Sequence, residues 1–460
     1  MARKNANDEV PVLIIGAGPV GLGLALDLGR RGVPCLVVER TDGAIEFPRA
    51  NAINVRTMEF CRRWGIADEV RAVGVPPDYP HTAIYVTSLA GHEIARVERP
   101  THGGGNRPST FSPERPQRCN QLWFDPVLRR KVEGYPHVQL RYGCRFESFE
   151  QDADGVVARV TDVASGREER IVAQFLVACC GGHSSVRNQL GIRLEGTPVL
   201  GAPVHLFFHA KTLWERHDKG KAALIYLMGT QGRWATLVNV DGRDHWSLSV
   251  ELPNHDRKIT PEEARAFIDR AIGAKVDYEI RSTSYWVRRE MVANRYSEGR
   301  VFIAGDCGHL NGPEGGYGMN TGMGDAVDLG WKLAAAVDGW GGPKLLASYE
   351  AERRPIAQRN VNEATKNVLN HQFDASELLS DSAGGARQRR EAGERITRDG
   401  ARRHGHEGLA LGYRYDSSPI CWADGTPPPD DTSRYAPSTH PGCRAPHAVL
   451  ADGRSTLDLF

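Results

Sequence analysis

Two glycine-dense stretches carry the residue types from which a dinucleotide site is made. The first, Gly16-Ala17-Gly18-Pro19-Val20-Gly21, lies between an apolar run, Val10 to Ile15, and a leucine-lined run that ends near Gly32. Such spacing serves phosphate binding. Gly16 permits a tight turn, Gly18 lets the backbone lie against a pyrophosphate, and Gly21 lets helix and strand pack closely. The helix start turns unpaired N–H groups and roughly half a positive charge toward the phosphates. Glu39 ends a second apolar run, Cys35 to Val38, and Arg40 follows it. The Glu39 carboxylate can accept from ribose hydroxyls and would repel a 2′-phosphate, so the pattern favours FAD or NAD over NADP. The second stretch opens with Arg300 to Asp306, an apolar strand closed by a carboxylate. It runs on through Cys307, Gly308, His309, Pro313, Gly315, Gly316, Tyr317, Gly318, Asn320 and Gly322 into another helix. Two such helix starts converging on one ligand suit a long molecule.

The elements that must position these groups follow from periodicity. Val10–Ile15, the helix after Gly21 and Cys35–Val38 form a βαβ unit. Helices are predicted at 55–64 and 121–132, strands at 143–150, 155–163 and 168–178, and irregular chain over 76–118. Between about 195 and 295, aromatic and β-branched runs recur at 203–210, 222–228, 234–240 and 245–250, the pattern of an antiparallel sheet. Thr260-Pro261-Glu262-Glu263 opens one helix within it. A further buried strand is predicted at 300–304 and a helix at 319–337. Mostly helical, charged chain follows over 344–404, then a proline-rich tail.

Composition narrows the function classes. Lys plus Arg is 58 and Asp plus Glu is 57, a net charge of +1, which disfavours nucleic acid or an anionic membrane as the main partner. The nine cysteines include no CxxC pair, so zinc ribbons and thioredoxin-type redox motifs are not expected, and no metal site is assigned. No apolar stretch reads as a membrane span, and the chain is read as cytoplasmic and reduced. Glycine is 50 of 460 residues, about 11%, where about 7% is usual. Glycines 16, 18, 21, 181, 182, 305, 308, 312, 315, 316, 318 and 322 give much of that excess a place in three stretches a dinucleotide would touch.

These motifs resemble the FAD-dependent class A aromatic hydroxylases, the p-hydroxybenzoate hydroxylase-like flavoprotein monooxygenases. Pro48-Arg49-Ala50 ahead of the 55–64 helix and the segment Gln121 to Leu128 fit the same pattern. Gly412 to Pro419 and Pro441 to His447 extend it to the phenol-hydroxylase-like branch. The resemblance implies an α/β fold: a Rossmann-type FAD-binding domain, an inserted antiparallel-sheet substrate domain, and a helical and irregular C-terminal part. Residues 1–190 and 296–365 would form the discontinuous FAD-binding domain and 191–295 the substrate domain. Residues 366–460 would be a helical segment and the start of a thioredoxin-like tail, shortened here or naturally lacking.

The resemblance also distributes roles. FAD would be held by Gly16, Gly18, Gly21, Glu39, Arg40, Arg49, Gln121 and Asp306. Pro313 would lie over the flavin, and Gly318, Met319, Asn320 and Thr321 would turn backbone N–H groups to its pyrimidine end. NAD(P)H and O2 would be consumed, and a phenolic ring would be hydroxylated through a flavin hydroperoxide. A small aromatic substrate is the expected partner, and a homodimer is compatible with the family. Pro313, Tyr317, His205 and Tyr226 are the catalytic candidates. His205, Phe207, His209, Tyr226, Trp234, Asn239 and Trp246 could line the substrate. Alternatives are epoxidation or Baeyer–Villiger oxidation of a polycyclic natural product, or a flavin-binding protein without turnover. One position departs from the family pattern. In Leu176 to Arg187 the usual acidic residue is replaced by Cys180, which cannot accept as a carboxylate does. A tolerated buried substitution, weakened nicotinamide binding and altered pyridine-nucleotide preference are the readings it leaves.

Overall fold

The Val10–Ile15 run is a buried strand, Glu9–Ile15, in the centre of an eight-stranded sheet. Parallel partners flank it: Glu168–Ala178 on one side and Cys35–Val38 on the other. Val301–Ile303 and Val138–Arg141 extend the parallel set outward. An antiparallel meander, Cys144–Gln151 and Val156–Asp162, folds back onto Glu168–Ala178. The helix Pro19–Arg30 buries Leu22, Leu24, Leu26 and Leu28 against this sheet. The helices Gln121–Glu133 and Tyr317–Val337 pack on that helix, so the first and second glycine motifs share one core. The computed structural model describes residues 9–98, 101, 110–253, 256–369, 375–402, 407–422 and 424–460.

The second sheet has nine strands. Its spine is Leu194–His209, sixteen residues long, which pairs first with Arg288–Ala293 and then with His245–Leu252 and Glu279–Tyr285. Gly232–Asn239 and Leu224–Gly229 continue the sheet. Val204, Leu206 and Phe208 face a core closed by the helix Pro261–Ile272, which Thr260 and Glu263 start with a reciprocal capping box. His205, Phe207 and His209 therefore face the other way, as the two-residue repeat of a strand requires.

The structure departs from the sequence reading in several places, among them the strand Val138–Arg141 and the helix Ala67–Val73, which were not expected. Residues 76–118 are not irregular throughout: Ala83–Val86 and Glu93–Val97 are strands, and Ala83–Val86 adds in parallel to Leu224–Gly229. They are short and pair with each other, and only Ala83–Val86 has a long-range partner that fixes the hairpin in the sheet. The strands Glu279–Tyr285 and Arg288–Ala293 were likewise not expected. Their charged and polar residues hide the alternation.

The C-terminal part holds the helices Pro343–Leu369 and Ala383–Arg402 and then loops. The loops are tied to the helix Val55–Arg63. Arg444 donates to Glu59, and Arg62 donates to Asp458 at 2.7 Å. Among the described residues no helix is long and apolar enough to cross a membrane.

Candidate functional site

At the first motif the turn is backbone-limited. Gly16 has φ +106°, and a Cβ there would lie 2.6 Å from the carbonyl oxygen of Cys179. A Cβ at Gly21 would meet the Gly16 oxygen at 2.0 Å. Gly18 is different: nothing lies within 4 Å of its Cβ position. That open space stands before a helix with neither a capping side chain nor an acidic residue in its first turn. The second helix start matches it. Gly316 precedes Tyr317, with no capping side chain and no acid in the first turn. Elsewhere Asn54, Asn120, Ser184 and Thr260 cap their own helices. The two glycine-led starts are thus left with donors to offer an external acceptor.

Glu39 sits beside the first start. Its Oε2 accepts from the Ala17 N–H at 3.0 Å and its Oε1 from Thr41 at 3.0 Å, and exposed Arg40 follows it. Asp306 lies in the turn Gly305–Cys307. Its carboxyl is open to solvent yet walled round by protein, the position of a group on the floor of a cleft. That enclosure pushes its pKa up, while His309 and Arg49 pull it down. Exposed Arg49 also acts on Asp125, whose carboxyl burial raises to about 7. Gln121 donates to Asp125 Oδ2 at 2.9 Å, leaving buried Oδ1 without a partner. Two backbone-directed bonds hold this segment: Asn120 donates to the Arg49 carbonyl at 2.7 Å and the Gln121 N–H to Ala50 at 3.0 Å.

A buried ionic group fixes the Asp306 turn from beneath. Asp325 accepts from the Gly305 N–H at 3.1 Å, from Arg353 Nε at 2.8 Å, and bonds His309 Nε2 at 3.0 Å. Burial alone would raise the Asp325 pKa, but Arg353 and His309 hold it below the usual carboxylate range. His309 is therefore a structural member of the loop. Asn320 is also committed. It accepts from the Asn54 N–H and the Thr57 hydroxyl, and donates to the carbonyls of Ala52 and Gly316. Thr321 Oγ1 bonds the Tyr317 carbonyl and accepts from Asn360. With both side chains so engaged, the backbone of Gly318 to Thr321 is what this segment can present. Met319 packs on the core.

The sheet face opposite these motifs is aromatic. Phe47, two residues before Arg49, meets His205 at 5.9 Å and Phe207 at 6.4 Å between ring centroids. Trp286 lies 5.3 Å from His205, and His245 stacks on Phe207 at 5.8 Å. Trp123, two residues past Gln121, reaches His245 at 6.4 Å. So the segments carrying Arg49 and Gln121 each send an aromatic residue to this wall. Burial pushes His205 down to about 3, with Arg288 adding to the effect, and its Nε2 shares a 3.3 Å hydrogen bond with Ser249. A neutral imidazole with so low a pKa is a hydrogen-bond partner and a weak base. In the second loop Pro313 is exposed, and Glu314 pairs with Arg288 at 3.1 Å and Arg233 at 3.4 Å. Beyond the wall, His209 pairs with Asp244 at 2.8 Å and His245 with Asp241 at 2.7 Å.

Other candidates lie elsewhere. Tyr317 is buried with Ala364 and Leu409, beside a cavity of about 60 Å³ lined also by Arg56, Arg353 and Tyr413. Tyr226 stacks on Tyr85 at 4.7 Å in a cluster shared with Leu378 and Ala392. Trp234 and Trp246 belong to the opposite face, Trp246 against Trp214 at 4.6 Å, and the Asn239 amide nitrogen donates to the Arg243 carbonyl at 3.1 Å. The spacing of the sequence missed Phe47, Trp286, Arg288 and Glu314. A motif neighbour of Arg49 and an apolar-polar alternation around Trp286 were the available signals, and the latter is too weak to read.

The cradle fits FAD. Open space at Gly18, uncapped helix starts, a carboxyl on a cleft floor and an orphaned polar atom beside Gln121 are what a long dinucleotide needs. A flavin-binding fold with an aromatic-walled second sheet is the class these features define. The chain belongs to the family described as FAD binding domain, whose model matches residues 9–364. It is an FAD-dependent monooxygenase, an aromatic hydroxylase that takes electrons from NAD(P)H. Its relatives include 4-methyl-5-nitrocatechol 5-monooxygenase of a Burkholderia species, 31% identical over 98% of this chain and 81% of that one. Among solved structures, the rebeccamycin biosynthetic enzyme RebC with reduced flavin is 39% identical, with a TM-score of 0.90 over 98% of this chain and 84% of that chain. The flavin-dependent monooxygenase PieE, in complex with FAD and substrate, is 33% identical, with a TM-score of 0.89 over 100% of this chain and 84% of that chain.

Proposed function

We propose that the substrate is a planar phenolic ring system, held between the cofactor loops and the wall of Phe47, His205, Phe207, Trp286 and His245. The single observation that carries this reading is the wall itself: aromatic faces from segments far apart in the chain meet over one strand. Flat rings gain from offset or edge contacts with such faces and from exclusion of water. Bound FAD supplies the redox chemistry, passing two electrons from NAD(P)H to O2 so that one oxygen atom reaches the ring. The protein does the rest. Gly16, Gly18 and Gly21 let the backbone approach the pyrophosphate; Glu39 and Arg40 stand at the adenosine side; Arg49, Gln121 and Asp306 line the cleft; Pro313 borders the reacting face. Backbone N–H groups at Gly318 to Thr321 offer positive potential to charge that develops nearby. His205 and Ser249 can hold a substrate hydroxyl by hydrogen bonding. The depressed His205 pKa disfavours full removal of its proton.

A panel of mono-, bi- and polycyclic phenols tests this, with NAD(P)H oxidation and product mass as readouts. Substrate-stimulated oxidation and a product heavier by one oxygen atom, with the ring hydroxylated, support the reading. An epoxide, or a lactone from insertion beside a carbonyl, replaces it. The same reading places the enzyme in the cytoplasm, where NAD(P)H is supplied and thiols stay reduced; cell fractionation checks it.

A further inference from the structure

Three of the nine cysteines meet where the two dinucleotide loops touch. Cys179 and Cys180 follow the strand Glu168–Ala178, and Cys307 follows Asp306. The Cys180 and Cys307 sulfurs are 3.8 Å apart. Cys180 also donates to Ser184 Oγ at 3.1 Å, and Cys307 to the Gly181 carbonyl at 3.4 Å. Arg187 donates to the Cys307 carbonyl at 3.3 Å and brings a fixed positive charge to the pair. Cys180 is partly exposed and Cys307 is fully buried. The Cys180 α-carbon would lie 2.9 Å from a Cβ on Gly16, so this residue forms the back of the phosphate turn.

We propose that Cys180 and Cys307 are an oxidisable thiol pair whose disulfide weakens the grip on FAD. The roles are unequal. Hydrogen bonds donated to the Cys180 thiolate by Cys307 first and then Ser184, with the charge of Arg187, lower its pKa against burial, while burial pushes Cys307 up. Cys180 is thus the attacking thiolate and Cys307 the resolving thiol. The oxidant is hydrogen peroxide, which two-electron reduction of O2 yields when no ring receives the oxygen. The Cys180 sulfur attacks one peroxide oxygen; an S–O bond forms, the O–O bond breaks, and hydroxide leaves as water with one proton. Cys307 then attacks that sulfur; an S–S bond forms, the S–O bond breaks, and the hydroxyl leaves as water with the Cys307 proton. Two thiols and one peroxide become one disulfide and two waters. A disulfide must close to about 2.0 Å between sulfurs. That closure draws the Asp306 turn toward the Gly16 turn and disturbs both ends of the cradle.

The test uses the holoenzyme. It is treated with stepwise hydrogen peroxide, the remaining thiols are alkylated, and the unreduced digest is analysed by mass spectrometry. Free FAD is measured by filtration of the same samples. The expected result is a peptide pair joined through Cys180 and Cys307, with FAD release rising at least fivefold and reversed by dithiothreitol. In Cys307→Ser the joined peptide is absent, and a sulfenic-acid probe labels Cys180. The proposal is overturned if both thiols stay alkylatable while other residues oxidise. Joining Cys180 to Cys179 instead, or forming the linkage without added FAD release, also overturns it. None of these readouts depends on which aromatic compound is hydroxylated.

Discussion

At the helix starts Pro19 and Tyr317 the groups proposed to bind FAD are backbone N–H groups bared by glycine. On the Leu194–His209 strand the groups proposed to meet the substrate are side chains, presented at every second position by the pleat. The cofactor side is preset by turn geometry, so its tolerance of change is decided by whether a Cβ fits. The proposed substrate side is set by which rings from distant segments meet, so its tolerance is decided by shape. Between the two lies the Asp325 ion group, which belongs to neither ligand yet fixes the loop that both need.

The sharpest way to break that arrangement is Asp325→Asn. It leaves buried Arg353 without the carboxylate that pairs with it, keeping its bonds to Tyr415 and the Thr321 carbonyl, and weakens the hold on Gly305. The expected loss is about 3–5 kcal/mol of stability, the usual result of removing one partner from a buried pair, read as a lower urea midpoint. Because folding lowers the Asp325 pKa, its contribution is complete above the unfolded value near 3.9 and disappears as pH falls through the folded value. Wild type should lose this contribution in that acid window, and the variant should not. Next comes Gly18→Val. Its Cβ has free space and its φ of −72° suits any residue, so the fold should persist. FAD affinity should fall at least tenfold, or about 1.4 kcal/mol, by flavin fluorescence titration. Unchanged affinity would mean that the open space before this helix is not the phosphate site. Phe207→Ala should leave FAD affinity unchanged and raise the KM for a phenolic substrate about fivefold, near 1 kcal/mol of lost ring contact.

The same contrast explains what the residue pattern made legible. The βαβ unit, the second loop and the helix at 121–133 could be read because glycine and cap positions act locally. The Thr260 capping box is local too. The strands Ala83–Val86 and Glu93–Val97 could not: they form a short hairpin that joins the sheet only where Ala83–Val86 meets Leu224–Gly229, more than a hundred residues away. The aromatic wall failed for a related reason. His205, Phe207 and His209 share a face because strand parity makes them, but Phe47 and Trp286 join them only through packing of distant segments. Tyr317 shows the converse: its place beside the second glycine loop suggests a substrate wall, yet the first turn of its helix aims it at Ala364 and Leu409.

His205 allows the smallest and most discriminating test of the substrate side. Folding lowers its pKa from 6.5 to about 3, so the folded state prefers the neutral ring. Below pH 6.5 the unfolded chain takes up this proton first, and stability falls until pH passes about 3, where both states are protonated. His205→Gln keeps a polar group beside Ser249 but cannot titrate. Its stability at pH 7 should differ from wild type by less than about 1 kcal/mol. Its urea midpoint should drop less than that of wild type between pH 7 and pH 4. Catalysis gives the second half of the argument. A ring already neutral across the working range cannot produce a limb near 6.5 in the pH profile of kcat/KM. The profile of His205→Gln should therefore keep its shape while KM rises two- to threefold. A limb that vanishes with the substitution would make His205 the acceptor of the phenolic proton. The aromatic wall would then be part of the acid–base machinery and more than a surface for binding.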